Sequence, residues 1–187
     1  TGTMAFAGGT TTVSGGYNVS GTTKISGTTT ANFTGPVTNV GTSLVANSGT
    51  TTLNFGGITT GEGTAFANLT SINSTSTLTF KAGTVLSGLT ALTVGGGTLD
   101  LANSNLTLTT LDVLGGTLTG SGNIDVSGAF GFSLGVIGGS GTLTTPLGST
   151  TALAPSFNQT AALRGSRIWN NQGTVTLTTP GGTLARF

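Results

Sequence analysis

The chain repeats itself at a fixed offset of 19 residues. LTALTVGGGTL begins at Leu89, and LTTLDVLGGTL begins at Leu108. Leu92, Val94, Gly97 and Leu99 thereby map onto Leu111, Val113, Gly116 and Leu118, and a second step carries these onto Phe130, Phe132, Gly135 and Ile137. GGTLTGSGNID from Gly115 maps onto LGVIGGSGTLT from Leu134 at the same offset. An apolar column that survives three repeats constrains the fold strongly. Each repeat must place equivalent residues in equivalent surroundings, which a one-dimensional stack of short repeats does. The period loosens toward the N-terminus: LTSI at Leu69 precedes LTAL at Leu89 by 20, and TTTANF at Thr28 precedes TTTLNF at Thr50 by 22. NVGTSL at Asn39 and NQGTVTL at Asn171 share an N-x-G-T core.

Within each repeat the apolar period is two. TSTLTF from Thr75, NLTLTTLDV from Asn105 and GTVTLTT from Gly173 place Leu, Val or Phe at alternate positions, with mostly Thr, Asn or Asp between. That is the pattern of a strand with one buried face. Threonine is β-branched and suits the other face. Recurrent GG, SG and GSG mark turns, and glycine at this frequency argues against helices. The chain is thus expected to be all-β: a parallel β-solenoid with rungs of about 19–22 residues. Its inward ladders would include Leu92, Val94, Leu99, Leu111, Val113, Leu118, Phe130, Phe132 and Ile137. A β-sandwich is the alternative; it accounts for the turns but not for the matched columns. Residues 1–187 read as one solenoid domain, or as a segment of a longer repeat protein. Rungs 1–68 are less regular, rungs 69–145 most regular, and 146–169 irregular.

Composition narrows the chemistry. Only 5% of the 187 residues are charged, the formal net charge is +1, and His and Cys are absent. There is no thiol nucleophile, disulfide, Cys/His metal site or histidine base. A charge this small supplies no basic face for nucleic acid. Disorder is disfavoured, because the mean hydropathy is positive at +0.29 with charge near zero. No apolar run approaches the about 20 residues a membrane helix needs. The chain begins with Thr and shows no signal peptide, which reads as a mature chain or a piece of a longer one.

GGTLTGSGNIDVSG, then GGSGTLTTPLGST, then RIWNNQGTVTL resemble the repeats of bacterial secreted β-solenoid proteins of the adhesin and autotransporter-passenger kind. Phe132 stands where tryptophan is common in that pattern. YNVSGTTKISGTTTANF is similar to other rungs of such proteins. The resemblance implies a secreted, cell-surface or matrix location and transfers no catalytic residue.

Individual residues add little chemistry. The acids Glu62, Asp100, Asp112 and Asp125 do not stack on one another in the 19-residue register, whereas glycoside chemistry needs two carboxyls within about 10 Å. The chain is therefore not expected to be an enzyme, and no cofactor or metal is implied. Arg164, Arg167 and Trp169 form the one basic and aromatic cluster. They could contact a sugar or partner, or they could close the end of the core. The T-x-T pairs at Thr77, Thr107, Thr117, Thr142 and Thr174 could match a lattice such as ice, or be ordinary outward residues. N-x-[ST] triplets at Asn18, Asn32, Asn68, Asn73, Asn105 and Asn158 fit glycosylation or asparagine ladders in turns. The expectation that follows is a non-catalytic rod or fibre element that associates end to end with itself, or continues into more chain, through open solenoid edges. An adhesin module binding glycans or surfaces is the alternative, with its site in the break at Pro146–Trp169.

Overall fold

A computed structural model describes residues 2–47, 51–55, 66, 68–75, 77–80, 84, 86–155 and 160–178. Among these there is no helix, and every strand pair is parallel. The chain is a β-solenoid whose rungs visit three strand positions, here called faces.

The first face runs the length of the rod. Thr3, Thr22, Ser43, Ser71, Ala91, Thr110, Ala129, Thr150 and Thr174 pair in succession in one column. At about 4.8 Å per step, these nine positions span about 38 Å. Successive members are 19, 21, 28, 20, 19, 19, 21 and 24 residues apart. Two rungs therefore exceed the expected 19–22. One of them, from Thr150 to Thr174, covers most of the irregular stretch 146–169; the other runs from Ser43 to Ser71. A solenoid tolerates rungs of unequal length because only the strand positions must stay in register.

The second face stacks residues 9–13 on 29–33 and these on Thr51–Phe55, and separately stacks Leu78–Thr79, Thr98–Asp100, Thr117–Thr119, Gly135–Ile137 and Ala161–Leu163. The third pairs Tyr17–Asn18 with Val37–Asn39. Farther along, it stacks Leu106, Ile124, Leu143 and Trp169. Strands Thr3–Val13 and Leu106–Val113 each run through a corner, with register shifts between Ala7 and Gly9 and between Leu108 and Thr110. The sheets consequently wrap around the rod.

The expected ladder residues stack as their spacing indicated. Leu92, Leu111 and Phe130 form one inward column, Val94, Val113 and Phe132 a second, and Leu99, Leu118 and Ile137 a third. All nine are buried. The inward columns are not wholly apolar. Thr23, Ser74 and Thr151 occupy positions of the first-face columns and are buried. Tyr17 OH donates to Thr23 Oγ1 at 2.8 Å, and Thr23 Oγ1 donates to the Val40 carbonyl at 2.7 Å. Thr151 Oγ1 has no partner among the described residues.

Threonine also serves the corners. The hydroxyl of Thr42 donates to the Gly21 carbonyl (3.2 Å), Thr70 to Thr42 (2.9 Å) and Thr90 to Thr70 (3.2 Å). Each of these corner carbonyls also accepts two backbone N–H groups from the next rung, so the hydroxyl is a third donor to it. Asparagine works alike: Asn105 Oδ1 accepts from the Asn123 N–H at 2.8 Å, and Asn123 Oδ1 from the Thr142 N–H at 2.9 Å. The corner at Gly97, Gly116 and Gly135 requires glycine, since φ is +60°, +67° and +105°. A Cβ on Gly116 would stand 2.5 Å from the Gly97 carbonyl oxygen. Both the left-handed backbone and the inter-rung approach exclude a side chain.

Candidate functional site

The break from Pro146 to Trp169 is where the sequence points first. Ser149 closes its opening turn, with N–H and Oγ both donating to the Pro146 carbonyl (3.0 and 2.6 Å). Residues 156–159 lie outside the described set. The chain then returns to the second face at Ala161–Leu163 and to the third at Ile168–Asn171.

Arg167 turns into the rod. Its side chain is only 7% exposed. Nε donates to the Gly138 carbonyl (3.2 Å), Nη1 to Gly122 (2.7 Å) and Nη2 to Gly120 (2.8 Å). The backbone bonds Ser166 N–H to Gly139 O and Ser140 N–H to Gly120 O place the last two of those carbonyls two rungs back. Burial lowers the guanidinium pKa from its ordinary value. The corner it fills is built from glycine, which leaves room for the long side chain.

Trp169 ends the inward column Leu106, Ile124, Leu143. Its ring meets Phe130 edge-on, with centroids 6.0 Å apart, and its Nε1 donates to Thr145 Oγ1 at 3.0 Å. Thr145 Oγ1 donates in turn to Asn171 Oδ1 at 2.7 Å. Arg164 is exposed at the turn before Arg167. The three residues are thus near in sequence but do not converge on a common cleft: two hold the rod together, and one faces solvent.

The described acids stand on three different faces. Asp100 lies on the second, beside Thr119; Asp112 on the first, beside Thr93; Asp125 on the third, beside Thr144. Glu62 and Asn158 lie outside the described residues. The T-x-T pairs are divided in the same way. Thr117–Thr119 is on the second face, Thr142–Thr144 on the third and Thr174–Thr176 on the first. Thr117 is flanked in its column by Thr98 and Val136, so no unbroken threonine lattice forms there.

Spacing did not reveal a shallow groove at the corner between the second and third faces. It is lined by Asp100, Ala102, Asn103, Thr119, Ser121 and Ser140. Asp100 Oδ1 accepts from the Ala102 N–H at 2.8 Å, and Ala102 holds a φ of +51° where later rungs carry glycine. The carboxylate here is committed to its own turn.

No family model matches the chain, and neither the curated proteins nor the solved structures contain a match.

Proposed function

We propose that the chain is a non-catalytic structural rod of a cell-surface or extracellular matrix protein, extended by parallel strand addition at its outermost strands. One observation carries this reading. Among the described residues, the first-face strands at the two ends pair on one side only, yet keep the alternation of the interior rungs. Met4 is 46% exposed at one end, and Val175 and Leu177 are 39% and 49% exposed at the other, whereas Leu92 and Leu111 in the same column as Met4 and Val175 are fully buried. Stacking Thr174–Leu177 of one copy on residues 3–6 of the next would continue the first-face columns. Val175 would lie on Met4, Leu177 on Phe6, and Thr174 on Thr3. Each unpaired edge group would gain a partner. The adhesin reading has less support, because Arg167 and Trp169 are occupied inside the rod.

The test is electron microscopy and sedimentation of the purified chain over a concentration series, beside a Val175→Lys/Leu177→Lys variant. Filaments in the parent and single rods in the variant are expected. Single rods of the parent at every concentration, or filaments unaffected by the two lysines, would sink end-to-end assembly.

A further inference from the structure

The first face presents two outward columns. One is the hydroxyl- and alanine-rich series from Thr3 to Thr174 given above. The other is Ala5, Lys24, Val45, Asn73, Thr93, Asp112, Gly131, Ala152 and Thr176. Apart from Lys24, side chains in both are short, so a second sheet could approach to about 10 Å. Lys24 and Asp112 are the only charges in either column. Neither has a partner in its own chain among the described residues. Lys24 stands two rungs before Asn73, and Asp112 stands two rungs after it.

That placement is self-complementary. We propose that two copies pack face to face through this sheet with their rods antiparallel, Lys24 of each against Asp112 of the partner subunit, and Asn73 against Asn73 of the partner subunit. A two-fold axis parallel to the strands and passing through the Asn73 rung produces all three contacts at once, as an isologous interface requires. The parallel alternative, with the axis along the rod, would set Lys24 on Lys24 and Asp112 on Asp112, so charge selects the antiparallel one. The Asp112 carboxylate leans over Gly131, where a Cβ would collide with its Oδ1. The glycine therefore leaves an opening into which a lysine from the opposite sheet can reach. Asp112 is partly desolvated within its own chain, which raises its pKa; a cation delivered by the second copy would offset that cost. Seven rungs overlap, about 30 Å along the rod by one strand width. That is on the order of 400 Å² per partner, below the size of stable specific interfaces, so the pairing is weak, reversible and concentration-dependent.

The chain has no cysteine, which permits a direct test. Asn73→Cys places one thiol on the proposed axis, and Thr107→Cys places one on the exposed third face as the control. With a short bismaleimide crosslinker, which reaches across sheets about 10 Å apart, Asn73→Cys is expected to form a covalently linked dimer at least about tenfold faster than Thr107→Cys. Equal rates would overturn the proposal. Asn73 lies mid-rod, so end-to-end stacking does not bring two copies of it together, and the two readings fail separately. In sedimentation, K24D and D112K should each weaken self-association, and the double variant K24D/D112K should restore it. No recovery in a double variant whose circular dichroism matches the parent would also overturn the proposal.

Discussion

Arg167 Nη1 lies 2.7 Å from the carbonyl oxygen of Gly122, 45 positions earlier in the chain. The bond joins rungs that are not neighbours, and with Gly120 and Gly138 it gives one side chain three backbone acceptors. The C-terminal rung is thus tied to the rung beyond its neighbour as well.

Replacing Arg167 should therefore loosen the C-terminal rungs out of proportion to one surface-type residue. Arg167→Ala leaves an empty corner and removes one donor from each carbonyl. A loss of about 2–4 kcal/mol is expected. Arg167→Lys should recover only part of it, because a single ammonium cannot span acceptors on two rungs. Denaturant unfolding of the three proteins measures both; equal stability of the Lys variant and the parent would contradict the bridging geometry.

Thr151 predicts the opposite sign. Its hydroxyl is buried between Phe130 and Val175 with no partner among the described residues. Thr151→Val keeps the shape and removes the unsatisfied group, so it should stabilise by about 1 kcal/mol. A raised thermal midpoint checks this, and a lowered one would mean that the hydroxyl is satisfied.

Two glycine substitutions separate conformational strain from collision. Gly148 has φ +91° with open space around it, whereas Gly116 has φ +67° and the Gly97 carbonyl 2.5 Å from its would-be Cβ. Gly148→Ala should cost about 1 kcal/mol. Gly116→Ala should cost clearly more, since the neighbouring rung must also shift. Chemical unfolding midpoints rank them.

Tyr17 makes stability depend on alkaline pH. Burial raises its phenol pKa. A folded-state pKa above the unfolded value of about 10 means that the native state holds the proton longer. Stability should be level below about pH 10 in this respect, then fall as pH rises through that value toward the folded pKa. The slope should flatten in Tyr17→Phe, measured by urea unfolding from pH 8 to 11.

The sequence was most legible where rungs are equal in length. The 19-residue columns through Leu92 and Leu99 and the 22-residue match of Thr29–Phe33 onto Thr51–Phe55 reappear as strand registers. The N-x-G-T match was legible only in part. Asn39 Oδ1 accepts from the Gly41 N–H, and Asn171 Nδ2 donates to the Gly173 carbonyl, so both asparagines close a turn. Their strands nevertheless join the column one residue apart, with Ser43 rather than Thr42 in line with Thr174. The candidate site was less legible. Arg167 and Trp169 are adjacent to a break, but the direction in which each side chain points depends on acceptors and rings contributed by residues 24 to 47 positions away.

What the sequence by itself determined is the ladder. In a parallel stack the repeat length is the register, so equal spacing of Leu, Val and Phe already states which residues touch. What only the tertiary structure decided is the fate of threonine and arginine. Threonine alternates with leucine in the strands, yet Thr23 and Thr151 face inward, while Thr42, Thr70 and Thr90 cap carbonyls at a corner. A small β-branched hydroxyl fits a buried column, an outer face or a corner alike, and only the rung beside it selects among the three.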